Sequence, residues 1–171
     1  MKTIILTLVL IIPSLVKCQI SSNIISESEF DSIKINAISL ATIKNTLGEQ
    51  NAVEALFGVA NEKIIDPDGE FTHFEFNGFN IGFSAVISGG TFNSPILGGF
   101  KIYNNNYNIT IQGKTVTIGD HKDKLGNVVI NNQNNGGKSI VYQYCDGCNN
   151  FISIYLDADN IITKIIYIEQ T

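Results

Sequence analysis

Two histidines, one Cys-x-x-Cys pair and one run of aspartates are the residues of this chain whose types could do chemistry. His73 and His121 are the only imidazoles. General acid–base or nucleophilic catalysis needs an imidazole or a carboxylate pair beside a nucleophile. Neither histidine lies in such a motif. His73 alternates onto a polar strand face, and His121 opens a helical pattern as a surface or capping residue. Cys145-Asp146-Gly147-Cys148 admits a disulfide. A redox pair gains its low thiol pKa at a helix N-terminus. This pair instead flanks a glycine turn between two strand patterns, beside the carboxylate of Asp146, so a structural clip or two free thiols suits it better than redox catalysis. Two cysteines with no histidine nearby are too few to close a zinc site. Asp66-Pro67-Asp68-Gly69-Glu70 offers carboxylates, but its glycine misses the sixth position of a calcium loop and no glutamate follows at the twelfth. Turn chemistry accounts for it. With no phosphate loop or dinucleotide fingerprint, the residues point to a protein that is not an enzyme and needs no cofactor and no metal.

Composition narrows the partners. The chain has 171 residues, 44% of them hydrophobic, with neither Arg nor Trp. Met1-Lys2 followed by the apolar run from Ile4 to Leu15 is too short for a permanent membrane span and reads as an export signal covering residues 1–18. Val16-Lys17-Cys18-Gln19 fits ordinary cleavage after Cys18, and it also fits a lipoprotein signal in which Cys18 is acylated. Losing Lys2 and Lys17 leaves nine lysines against 16 acidic residues, a net charge of −7. Phosphate backbones demand clustered cations, so nucleic acid is excluded as a partner. A membrane is reached only through a lipid on Cys18. The localisation expected is periplasmic or extracellular.

The elements that position these residues follow from periodicity. Residues 19–30 are polar and serine-rich and read as a flexible leader. Phe30–Ile35 alternates like a strand. Ser39 suits a helix N-cap, with Ile43 and Leu47 on one face and Gly48 as the stop. A second short helix over 51–57 ends near Gly58. Phe71–Phe76 and the strand from Phe79 pair across Asn77-Gly78, a two-residue hairpin signal. That register sets Phe74, Phe76, Phe79, Ile81 and Phe83 on one face, and His73, Glu75, Asn80 and Ser84 on the other. A loop from Ser88 to Gly99, bracketed by glycine pairs, carries Phe92, Ile96 and Leu97.

The chain then repeats itself. Ile38 to Gly48 and Val116 to Gly126 both run from a β-branched entry through a short helical pattern to Leu-Gly. In the second copy Asp120 or His121 caps a helix carrying Leu125 and Val129. Three strands follow, 139–144, 151–156 and 161–169, joined through Asp146-Gly147 and Asp157–Asn160. Pairing across a two-residue Asp146-Gly147 turn places Val141, Ile152, Ile154, Leu156 and Ile165 inward, and Tyr142, Tyr144, Phe151, Tyr155, Lys164 and Ile166 outward. The expected architecture is α+β: two repeats, about 31–111 and 112–171, each a helix or helix pair plus an antiparallel meander, with the helices on one face of a continuous antiparallel sheet. Tyrosine gives a large contact area at small entropic cost. The outward set Tyr142, Tyr144, Phe151, Tyr155 and Lys164, rimmed by Phe92, Ile96 and Leu97, is therefore the expected site for another protein. The alternative is a periplasmic carrier or sensor of a small apolar or sugar ligand.

In Phe30–Ile35, Ser39–Gly48, the Asn77-Gly78 hairpin and the echo at 117–126, the chain resembles the tandem-repeat fold of the β-lactamase-inhibitor-protein type, and more loosely the SmpA/OmlA-type lipoprotein domains. The resemblance implies helices packed on a long antiparallel sheet whose open face grips a protein, in exported, non-enzymatic inhibitors, immunity proteins or assembly factors. The family's inhibitors insert an acidic hairpin, and Asn77-Gly78 carries no carboxylate. The disulfide implied for each repeat has no counterpart in the first.

Overall fold

The computed structural model describes residues 21–85, 87, 88, 91, 92, 95–133 and 136–169. The signal-like segment and Cys18 lie outside them. Chain order gives β1 (Asn23–Ile24), α1 (Glu27–Asp31), β2 (Lys34–Ile35), β3 (Ile38–Ser39), α2 (Leu40–Lys44), α3 (Gln50–Phe57), β4 (Glu62–Ile65), β5 (Phe71–Phe76) and β6 (Phe79–Ser84). There follow β7 (Ile87–Ser88), β8 (Thr91–Phe92), β9 (Ile96–Ile102), β10 (Asn108–Ile111) and β11 (Lys114–Thr117). A 3-10 turn (Lys122–Leu125), β12 (Asn131–Asn132), β13 (Lys138–Gln143), β14 (Phe151–Leu156) and β15 (Ile162–Ile168) complete the chain.

This is a mixed α+β structure, mostly antiparallel sheet with few helices. Nine strands form one sheet in the order β1-β13-β14-β15-β9-β6-β5-β4, with β12 also on β13. Only the β1–β13 pairing in that sheet is parallel. A four-stranded sheet runs β11-β10-β2-β3. β9 is the seam of the large sheet, because it pairs β6 on one side and β15 on the other.

Period-two alternation decides which face is buried. Phe74, Phe76, Phe79, Ile81, Phe83, Phe100, Ile102, Ile152, Ile154, Ile165 and Tyr167 are all buried. They join Phe30 of α1, Leu40 and Ile43 of α2, Val53 of α3 and Ile35, Ile109 and Val116 of the small sheet in one core. Phe79 stands among rings, with centroids 4.8 Å from Tyr107 and 4.9 Å from Phe57. Full burial of a side chain of this size contributes roughly 1.5–3 kcal/mol.

Several expectations hold. Ser39 caps α2, its hydroxyl accepting from Thr42 N at 3.1 Å. α3 ends at Gly58. Asp66 closes its turn by accepting from Gly69 N and Phe71 N. Phe76 faces Phe79, Phe74 faces Ile81 and Thr72 faces Phe83.

Others are corrected. Residues 21–30, expected as a mobile leader, hold β1 and α1 and bury Ile25 and Phe30. The cause is a capping box: Ser26 Oγ accepts from Glu29 N, and the Glu29 carboxylate accepts from Ser26 N. Phe30 is therefore helical, and only Lys34–Ile35 of the expected strand pairs. α2 stops at Lys44, because Thr46 N and Leu47 N donate to Ile43 and Lys44 carbonyls three residues back, tightening the chain out of the helix. Leu47 takes a positive φ and is exposed, not packed beside Ile43. Where a second helical copy is expected, the chain forms one 3-10 turn ended by Gly126, so Leu125 is buried while Val129 is exposed.

The largest correction is one of register. β13 pairs β14 with Gln143 opposite Phe151 and Tyr142 opposite Ile152, leaving residues 144–150 as the loop. This is one residue away from the two-residue turn expected at Asp146-Gly147, and a slip of one exchanges the faces of a whole strand. Tyr142 is thus in the core, 2% exposed, and Val141 points to the other side. Tyr144 packs its ring 5.5 Å from Phe30.

Candidate functional site

The side of the large sheet turned away from the core can be followed strand by strand. One row reads Ile64, His73, Gly82, Gly99, Ile168, Phe151 and Gln143 from β4 across to β13. The next reads Glu62, Glu75, Asn80, Lys101, Ile166, Ser153 and Val141. Beyond it Lys164 stands opposite Tyr155, and Tyr155 opposite Ser139.

Glycine shapes this surface. Gly82 and Gly99 face each other with no side chain, leaving bare backbone between His73 and Ile168. Both positions are crowded: a Cβ on Gly82 would lie 2.7 Å from His73 Nδ1, and one on Gly99 would lie 2.5 Å from the Tyr167 carbonyl. His73 stacks along Phe71, ring centroids 6.5 Å apart. The result is a recess of about 350 Å³ floored by the glycines and walled by Phe71, His73 and Ile168. A second recess of about 250 Å³ is lined by Val141, Gln143, Gly147, Cys148, Phe151 and Ser153. The Ile168–Phe151 pair separates the two.

Of the residues expected to meet a partner, this face brings together Phe151, Tyr155 and Lys164, all half-buried. The Lys164 ammonium sits 4.2 Å from the centre of the Tyr155 ring. Tyr142 and Tyr144 do not belong to it. Ile96 and Leu97 are part of β9, with Leu97 1% exposed, so they form no loop at its rim. Ile96, Leu97, Leu47 and the Lys44–Glu169 ion pair (3.1 Å) line a separate cavity of about 210 Å³. The backbone of Phe92 is in β8; its side chain lies outside the described residues. Ile166, already expected outward, lies on the same face, and Lys101, Ile168, Val141 and the two glycines join it. For Gly99 and Lys101 the signal was the alternation through Gly99-Phe100-Lys101-Ile102-Tyr103, which becomes a face only when β9 is placed between the two hairpins.

Cys145 and Cys148 are bridged, with Cα atoms 5.4 Å apart, and Gln143 Nε2 donates to the Cys148 carbonyl at 2.6 Å. The bridge stiffens the rim of the second recess. Burial raises Tyr142 to about 12, and Tyr167, which donates to Glu169, is also pushed upward, chiefly by burial. Both phenols therefore remain protonated core groups at neutral pH. His121 Nδ1 lies 3.2 Å from Asp123, next to the 3-10 turn, while His73 lies on the sheet. Among the described residues no group of three or more His, Cys, Asp or Glu is placed to hold a metal ion, and no helix is long and apolar enough to cross a membrane. No family model, no curated protein and no solved structure matches the chain.

Proposed function

We propose that this is an exported, non-enzymatic protein-binding module of the inhibitor, immunity or assembly-factor kind, which grips its partner on the outer face of the large sheet. The observation that carries the reading is Phe151, Tyr155, Ile166 and Ile168 sharing that face, each half-buried and still partly open to solvent. The core is complete on the opposite side without them. Large apolar side chains gathered beside recesses are what a partner's anchors fill. The tandem-repeat layout, with helices on one side of a continuous sheet, belongs to the same proposal. Its support is the contact of Phe30 and Phe57 with rings of the buried face. The export signal at 1–18 and a lipid on Cys18 remain part of it as well, resting on the sequence pattern.

The test is capture of proteins from the host's envelope and extracellular fractions on immobilised mature chain, beside a Phe151→Ala/Tyr155→Ala variant. One protein should be retained by the native chain and lost by the variant. Truncating a central aromatic should cost on the order of 2 kcal/mol of affinity. Retention of the same proteins by both would place the site elsewhere. The glycine-floored recess favours a second reading, carriage of a small apolar or sugar ligand, since its size suits a small ring between Phe71 and Ile168. A small molecule retained in native mass spectra, with no protein captured, would establish that reading instead.

A further inference from the structure

The lysines of this acidic chain are mostly occupied. Lys44, Lys122 and Lys124 pair with carboxylates. Lys114 donates to the Leu125 carbonyl, Lys138 to Ala158 and Asn160, and Lys63 to Gln50. Lys101 and Lys164 have neither an ion pair nor a hydrogen bond among the described residues, and Lys34 of the small sheet is the other such case. Lys101 and Lys164 share the outer face. Each ammonium is instead held over a tyrosine ring, Lys101 at 5.9 Å from Tyr103 and Lys164 at 4.2 Å from Tyr155. Cation–π contact orients an ammonium without neutralising it. Two oriented, unneutralised cations therefore stand together on a molecule whose formal net charge is −5.

Their spacing says what they would meet. Lys101 faces Ile166, and Lys164 lies two residues from Ile166 on the neighbouring strand, which makes the lysines diagonal neighbours on one face. Diagonal neighbours are about 7–8 Å apart. Alternate side chains along an extended peptide recur about every 7 Å on one side. Carboxylates at positions i and i+2 of an extended segment match that spacing, one for each ammonium group. The recess of about 350 Å³ beside Gly82 and Gly99, one row away, leaves room for such a segment to lie close. Resting on the protein-binding reading above, we infer that the partner presents an extended acidic segment, whose alternate carboxylates bind Lys101 and Lys164.

The probe is a fluorescein-labelled (Glu-Thr)₄ peptide, followed by anisotropy against the full mature chain, with (Gln-Thr)₄ as its neutral counterpart. The acidic peptide should bind, the neutral one should not, and added salt should weaken the complex. The K101Q/K164Q pair should bind about tenfold more weakly with an unchanged melting temperature, given the modest worth of each exposed charge pair. Lys34→Gln should bind as the native chain does. Equal binding of both peptides, or full affinity in K101Q/K164Q, would overturn the inference. So would binding of a defined heparin fragment with none of the peptide, which would make the patch a polysaccharide site. A captured protein released by Phe151→Ala/Tyr155→Ala but held unchanged by K101Q/K164Q would leave protein binding standing and remove the acidic segment.

Discussion

The large sheet contains two hairpins built from similar materials and closed in different ways. β5 and β6 meet through Asn77-Gly78, with Phe76 opposite Phe79 at the first pair. β13 and β14 meet through the seven residues 144–150, with Gln143 opposite Phe151 at the first pair and a disulfide inside the loop. Each presents an alternating apolar face to the core. The short turn leaves only one register open, because a two-residue loop fixes Phe76 opposite Phe79, with Gly78 alone taking the positive φ the turn needs. The long loop leaves the register to side-chain burial and to contacts distant in sequence. Asn23 reaches the Val141 carbonyl at 3.0 Å, β1 pairs alongside Tyr142 and Gln143, and Phe30 packs on Tyr144. One hairpin is specified locally; the other is specified by the molecule around it.

The largest effect that probes this contrast is in the first hairpin. Phe79→Ala would remove a ring that touches Phe57, Phe76, Phe100 and Tyr107 from a position 0% exposed. A loss of about 3–5 kcal/mol is expected in urea unfolding. A cost under about 1 kcal/mol would mean that this hairpin does not anchor the core.

That asymmetry is also why the sequence was readable in some places and not in others. The β5–β6 register, the cap at Ser39, α3 and the Asp66 turn depend on neighbours within a few residues, and each was legible. The faces of β13 were not, since Asp146-Gly147 has the residues of a two-residue turn while the pairing begins elsewhere. α1 was legible in principle: Ser26 and Glu29 spell a capping box, although the polar composition around them suggests disorder. β1 was not, because its partners on β13 lie more than a hundred residues away. The outer face follows the same rule. Phe151, Tyr155 and Lys164 take the face expected of them, because the slip moved β13 and left their alternation in place, whereas Tyr142 and Tyr144 were assigned through the displaced register.

A medium effect tests the turn itself. Gly78 has φ +94, and a Cβ there would run into the Asn104 side chain. Gly78→Ala should cost about 2 kcal/mol. Gly147 also has positive φ, but nothing lies within 4 Å of its would-be Cβ. Gly147→Ala should cost visibly less in parallel denaturation curves. Equal costs would say that the long loop is as strictly specified as the short one.

The disulfide should matter less still. Cys145 and Cys148 enclose only the two residues between them. Closing so small a loop removes little freedom from the unfolded chain, so Cys145→Ser should cost about 1–2 kcal/mol and leave the fold intact. Loss of folding in this variant would show that the bridge fixes the β13 register, a role here assigned to β1 and the core.

The smallest effect separates the hairpins by chemistry. The first buries only Phe and Ile on its inner face, whereas the second buries Tyr142, whose phenol burial raises to about 12. In the unfolded chain the same phenol titrates near its ordinary value of about 10. Below that pH both states keep the proton, so this group makes stability independent of pH. Between about 10 and 12 the unfolded state releases its proton first, which favours unfolding, and stability falls as pH rises through that window. Tyr167 is raised as well and pulls in the same direction. Tyr142→Phe should leave the pH 8 urea midpoint nearly unchanged, because the ring stays and only the hydroxyl goes. It should also make the decline from pH 10 to 11.5 shallower than in the native protein, which retains the contributions of both tyrosines. An identical alkaline decline in the two proteins would mean that the Tyr142 hydroxyl is reached by solvent, and that β13 does not turn this face inward.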